Sequence, residues 1–462
     1  MRNTFTNTPS WRPRALSPDK PRYLALVEAL RRDIDEGRLS EGHRLPPHRE
    51  LARNLGLSVG TVSRAYQEAE QRGLIAGRVG QGTFVRRAAW RNEQGAAQSF
   101  VDLALNVPAP GEESDILAGL FAELSHPSAI APLLDYGPHA GAGDHRAAVA
   151  SFMAHANAAI DPSRVFLCNG AQHALSLALS LIDNPSRAIL VDTQTYSGIK
   201  AYAAAFHAEL VPVEMDAEGM ILEALDAASR RSPARVLYVM PTLHSPTART
   251  MSRARREAIA DIAAARDLWI VEDDVYGFFD PNPPITLAEL LPSHSFYISS
   301  FSKCVAPGFR LGALAVPPTF VERANLMLHA TSWFVSPVLC MAATRLIETG
   351  KLDALVAQRR RQASERYGVF RETFSDAALI DTPAFFGWLP LPADWSATSF
   401  ATAARAAGIL VTPPAASNVG PSEPDGVRLC LGIPPDLETL AAVLRTLHDL
   451  ISRRPWNILS VA

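Results

Sequence analysis

The sequence predicts an α/β protein in two parts, a small basic head and a large body built on a mostly parallel sheet. Three observations predict this. From about residue 100 onward, short apolar runs alternate with Ala-rich amphipathic segments, the pattern of a sheet wrapped by helices. Residues 1–90 carry 16 Lys and Arg against 9 Asp and Glu, a balance of +7 within a chain whose total is −3. Only four lysines (Lys20, Lys200, Lys303, Lys351) stand among 44 basic residues, and Lys303 lies in a turn of small residues, SSFSKCVAPGFRLG.

At 462 residues the chain is long enough for several domains and a large buried core. It has no apolar run long enough to span a bilayer and no secretory signal pattern, so the expectation is a cytoplasmic protein with no membrane part. Cys168, Cys304, Cys340 and Cys430 are far apart and lack metal-ligand spacing, which predicts free thiols and no metal site. The polar, Pro-containing residues 1–19 are expected to be a disordered tail.

Residues 20–87 read as helix, helix, short turn, helix and hairpin. Apolar spacing marks a helix over 23–36 with Gly37 as its stop, then HRELARNLG closed by Gly56. Ser58 caps a third helix, VGTVSRAYQEAEQRG, and LIAGRVGQGTFV supplies two short strands around Gly80-Gln81-Gly82. The order is that of a winged helix-turn-helix, whose third helix enters the major groove of DNA. A basic head on an acidic body suits a polyanionic partner.

LPPHRELARNLGLSVGTVSRAYQEAEQRGLIAGRVGQGTFV resembles the DNA-binding domain of the GntR family along nearly its whole length. The resemblance implies a double-stranded DNA operator as partner, contacted by Arg49, Ser58, Thr61 and Arg64, with Gly82 at the wing. Where the family usually has Arg after the capping Ser, this chain has Val59, so its operator is expected to differ from common ones. Polar residues 88–100 read as a flexible linker.

In the body, residues 101–455, strands are predicted over 165–168, 188–191, 236–239, 269–271, 295–298 and 313–316, with helices such as 172–182 and 253–266 between them. Ligand groups belong at the carboxyl ends of such strands. Those ends read, in order, NGAQH, DTQTYSG, PTLHSPTART, EDDVYGFF and the Lys303 turn. Free amides opening a helix at Ala171 and Gln172 can cradle a phosphate. Tyr196 can stack on a flat ring, and a buried acid can hold a ring nitrogen protonated. An amine such as Lys303 can lose its proton and attack a carbonyl, and Arg310 can hold a phosphate by two hydrogen bonds. Paired acids also suit a metal, but no ordered His accompanies them here.

Taken together, these motifs resemble a fold-type I, aspartate-aminotransferase-like domain that binds pyridoxal 5'-phosphate (PLP). The resemblance implies that Lys303 forms the internal aldimine and that Asp273, or its neighbour Asp274, holds the pyridine nitrogen. Tyr276 meets the cofactor's O3 oxygen and Tyr196 stacks on its ring. Ala171, Gln172, Ser300, Ser302 and Arg310 form the phosphate cup. Ser245 stands among the cofactor-binding positions where these enzymes typically have an Asn that also reaches O3, a departure that weakens fast transamination more than cofactor binding. Arg428 grips a substrate or effector carboxylate, and Tyr136 reaches the phosphate of the opposite subunit in a homodimer.

A GntR-type head on such a body is similar to the MocR subfamily of bacterial regulators. That resemblance implies a PLP-dependent transcriptional regulator acting at the nucleoid. Its body would sense an amino compound, or PLP itself, through the aldimine at Lys303, and its head-to-tail dimer would place each winged helix against the partner's body. The competing expectation is an active PLP-dependent aminotransferase of amino acids carrying a DNA-binding head.

Overall fold

Hydrophobic spacing in the head resolves into three helices, α1 (Arg22–Asp35), α2 (His48–Leu55) and α3 (Val59–Gln71). A three-stranded sheet of β1 (Arg44–Leu45), β2 (Ile75–Arg78) and β3 (Gly82–Val85) completes it, with β3 central and antiparallel to both neighbours. The computed structural model describes residues 11–14, 21–35, 38–39, 43–71, 74–78, 82–85, 100–375, 382–422 and 424–453. The wing tip at 79–81 and all of the expected linker except residue 100 fall outside them. The chain divides into two units, residues 1–97 and 98–462.

Gly56 ends α2 in the left-handed region at φ 63°, where a side chain would be strained. Ser58 then opens α3, its Oγ accepting the Thr61 amide at 3.1 Å. Leu26, Leu30, Leu51, Val62, Ala65, Tyr66 and Ala69 form the core where the three helices meet. Within the stretch read as a disordered tail, Trp11 packs into this core and donates Nε1 to Asp33 Oδ2 at 2.8 Å. A large amphipathic ring with a buried partner anchors the chain at that residue.

The body begins with β4 (Val101–Leu103), followed by β5 (Val165–Cys168), β6 (Ala188–Asp192) and β7 (Glu209–Val213). A small hairpin of β8 (Met215–Asp216) and β9 (Gly219–Met220) precedes β10 (Val236–Val239), β11 (Trp269–Asp273), β12 (Ser295–Ser300) and β13 (Gly312–Ala315). The main sheet has the order β5-β13-β12-β11-β10-β6-β7. Every pairing in it is parallel except those of β13, which runs antiparallel to β12 and β5. Edge strand β7 lacks a sequence expectation because ELVPV is part-exposed and interrupted by Pro212.

The reversed β13 has a consequence for the site. Its pairing places Gly312 opposite both Ser300 and Cys168, so the turn carrying Lys303 starts and ends at the carboxyl edge of the parallel strands. A second, smaller core lies under β14 (Phe386–Pro390), β15 (Ile409–Val411) and β16 (Gly426–Cys430). There β14 pairs antiparallel with β16, while β15 pairs parallel with β4. The first strand of the body thus joins its last layer and then runs on into the site.

Candidate functional site

Three consecutive acids at the end of β11 are sorted by the alternation of a strand and the turn after it. Glu272 faces away, accepting from the amides of Leu287 at 3.1 Å and Ala288 at 2.9 Å. Asp274 accepts from Tyr297 Oη at 2.8 Å. Asp273 accepts from Tyr238 Oη at 2.8 Å through Oδ2; among the described residues neither its buried Oδ1 nor that of Asp274 meets a hydrogen-bond partner. Burial pushes the Asp273 carboxyl up to about 7, with Tyr238 and Lys303 pulling the other way.

Lys303 lies within charge range of that acid. Burial pushes its ammonium down to about 8, with Cys430 and Asp273 opposing the shift and Arg428 and Arg310 adding to it. Its Nζ donates to the carbonyl of Asn106. The same Asn106 donates Nδ2 to Tyr276 Oη at 2.8 Å, so one residue at the end of the β4 segment touches both groups. Arg359, fully buried, donates to the carbonyls of Cys304 at 3.3 Å and Val305 at 2.9 Å and fixes the turn from below.

Beside this lies a cradle. Helix Ala171–Leu181 opens at Gly170, with φ 81°, against Arg310. A Cβ on Gly170 would sit 2.5 Å from Arg310 Nη2, and one on Gly312 would sit 2.7 Å from the Gly170 carbonyl carbon. Ser300 Oγ donates to Ser302 Oγ at 3.1 Å on the same rim. Gln172 turns its Nε2 to the Gly198 carbonyl at 3.1 Å. Tyr196 is part-buried, and its phenol is raised by burial and by Asp273, against Arg310 and Arg428.

Arg428, on β16, reaches in from the smaller layer. Its Nε donates to Thr412 Oγ1 at 3.2 Å, its Nη1 to Ser245 Oγ at 3.0 Å and its Nη2 to the Ala104 carbonyl at 2.9 Å. Ser245, counted with the cofactor contacts on sequence, has its hydroxyl on this guanidinium. Tyr136 stands apart, 84% exposed, with its ring centroid 5.9 Å from those of Trp333 and Phe334.

On the head, Arg49, Ser58 and Arg64 are exposed and Thr61 is half-buried. Ser58 Oγ and Thr61 Oγ1 pair at 2.8 Å, and the Arg64 guanidinium lies 4.1 Å over the Tyr23 ring. Gly82, at φ 113°, faces Arg44, whose Nε would be 3.0 Å from an added Cβ. Arg44, Asn106 and Tyr238 are the residues that sequence reasoning missed. Asn106 ends an apolar run as the other site residues do, which was a usable signal. Nothing in VLYVM says that its phenol meets an acid 35 residues later.

Residues 22–85 match the bacterial regulatory proteins of the gntR family, and residues 99–444 match aminotransferase class I and II. The chain is 30% identical over 456 residues to the uncharacterized HTH-type transcriptional regulator YdeF of Bacillus subtilis, covering 97% of this chain and 98% of that one. It is 28% identical over 397 residues to the probable rhizopine catabolism regulatory protein MocR of Rhizobium meliloti, covering 79% and 80%. Among solved structures it is similar to an archaeal alanine:glyoxylate aminotransferase, with a TM-score of 0.70 at 20% identity over 78% of this chain and 91% of that one. That likeness establishes the fold.

The cofactor this body implies is pyridoxal phosphate, and two observations fit it. Asp273 Oδ1 is a buried acceptor with no partner among the described residues, suited to a ring N–H. Gly170 and Gly312 lack room for a Cβ where a helix N-terminus meets Arg310, the chemistry of a phosphate cup. The chain belongs to the MocR-type regulators, in which a winged helix of the gntR family is fused to a fold-type I domain of aminotransferase class I and II.

Proposed function

We propose that this protein is a cytoplasmic, nucleoid-bound transcriptional regulator whose body senses an amino compound, or pyridoxal phosphate itself, through a covalent link at Lys303. The observation that carries the reading is the pairing, in one chain, of a DNA-reading head with a body that keeps lysine, acid and carboxylate-gripping arginine together. When bound, the cofactor supplies a carbonyl for amines and a ring that withdraws electrons. Lys303 holds it, with an amine whose ammonium is already pushed down to about 8. Asp273 keeps the ring nitrogen protonated, and Tyr276, oriented by Asn106, donates to the ring oxygen. Tyr196 covers the ring face, while Ala171, Gln172, Ser300, Ser302 and Arg310 take the phosphate. Arg428 orients a ligand carboxylate.

Ser245 favours sensing over turnover. Its hydroxyl is committed to Arg428, so the ring oxygen has one fewer side chain to tune it. The body works as a homodimer, head to tail, with Tyr136 of the partner subunit completing the phosphate site. The test is an absorbance titration of full-length protein with a panel of amines and amino acids, with operator binding followed in parallel. A spectral shift that changes DNA affinity without keto-acid product supports a sensor. Steady keto-acid production with unchanged DNA affinity makes the protein an aminotransferase carrying a DNA-binding head.

A further inference from the structure

The leading turn of α3 is unusual for what it exposes. Val59, the first residue of the helix, is 44% exposed, and among the described head residues it is the one large apolar side chain left in water. Gly60 follows it. A helical glycine costs about 1 kcal/mol relative to alanine, yet this one has ordinary helical φ, and an added Cβ would meet nothing nearer than Ser58 Oγ at 3.8 Å. Nothing among the described residues of the head calls for a glycine there. A bare backbone beside an exposed Val makes a shallow, apolar, close-approach surface.

The polar groups around that surface are already engaged. Ser58 Oγ takes the Thr61 amide at 3.1 Å and pairs with Thr61 Oγ1 at 2.8 Å. Arg64, a turn further on, is drawn over Tyr23, with Nη2 3.4 Å from its hydroxyl. The tip of the helix therefore offers methyl groups where a donor would read guanine. In the major groove the C5-methyl of thymine is the apolar feature of a base edge, and the N-terminal residues of the recognition helix, here α3, are those that meet base edges. An isopropyl group pressed on phosphates would lose water for no gain, whereas against a thymine methyl both partners bury apolar surface.

We propose that Val59 is a specificity-determining residue that reads a thymine methyl in each half-site, with Gly60 allowing the backbone approach that this contact needs. The inference rests on the reading of the head as sequence-specific for DNA. The experiment uses the full-length chain, first to select sites from a random double-stranded DNA library. Each thymine of the selected site is then replaced by deoxyuridine, which differs by that methyl alone. One thymine per half-site is expected to lose about fourfold in affinity on the swap, roughly what burying one methyl is worth. Val59→Ala, on an exposed position that leaves the fold intact, should show a clearly smaller loss on that swap, because one methyl remains of the isopropyl group. Val59→Arg should move the selected base there to guanine. Gly60→Ala should weaken binding to every DNA while raising the melting temperature. A selected site that is indifferent to every uridine swap, or a Val59→Ala chain with undiminished methyl dependence, overturns the proposal and leaves the DNA reading standing. Failure to select any sequence overturns both.

Discussion

An acid held by one phenol, with its other oxygen buried and bare, is costly to ionise, and Asp273 is in that position. Its pKa rises from 3.8 in the unfolded chain to about 7. Between those values the folded state keeps a proton that the unfolded state has lost, so this group's contribution to stability falls as pH rises, and the loss is complete above about 7. Asp273→Asn removes the ionisation. The cofactor-stripped variant is expected to melt several degrees above wild type at pH 8, with the gap narrowing toward pH 5, while its PLP affinity drops tenfold or more; melts at both pH values and a PLP titration check this. Lys303 is displaced the other way, from 10.5 to about 8. The rate at which PLP attaches to the protein should therefore climb with pH around a midpoint near 8, well below that of an ordinary lysine, as followed by absorbance. A midpoint near 10 would mean that the amine is well hydrated.

At the scale of elements, the site depends on three strand ends meeting without side chains between them. Gly312→Ala puts a Cβ 2.7 Å from the Gly170 carbonyl carbon and 2.9 Å from the Ala171 nitrogen, both main-chain atoms that cannot turn aside. The helix must lift off β13, at about 1–3 kcal/mol for such overpacking. The expected result is a lower melting temperature and at least tenfold weaker PLP binding, whereas Gly308→Ala in the same turn, with nothing within 4 Å, should change neither. Equal effects at both positions would sink the argument. This meeting of strands also marks how far the sequence could be read. Apolar runs and their polar ends are local signals, so six of the seven main-sheet strands, and the turn that carries Lys303 and Arg310, were legible. The reversed β13 follows from a turn that returns beside its own strand, which no periodicity records. The partners of Asp273 and Arg428 were hidden for the same reason: Tyr238 and Ala104 come to them by topology. Ser245 could be recognised as a departure from the usual Asn, but its bond to Arg428 spans 183 residues.

Over the whole molecule, four of the eight large apolar side chains exposed on the described body come from two stretches, 134–136 and 326–333. Leu134 is 74% exposed, Tyr136 84%, Leu326 69% and Trp333 49%, from two stretches brought together by Tyr136 and Trp333, 5.9 Å apart. Exposed aromatic rings packed against one another in this way suit an interaction site. On the proposed reading a second copy covers it, which carries Tyr136 away from its own chain and toward the phosphate cup of the other. Two consequences can then be separated. Trp333→Glu places a charge in the buried centre of the interface and should yield monomers by sedimentation. PLP affinity should fall with it, and so should operator affinity, by a hundredfold or more, because two linked heads bind two half-sites far better than one. Tyr136→Phe keeps the ring and removes the hydroxyl. It should remain dimeric and hold the operator while binding PLP several-fold more weakly. A dimeric Trp333→Glu chain would move the interface elsewhere; a monomer with unchanged PLP affinity would keep the interface and return the whole phosphate site to a single chain.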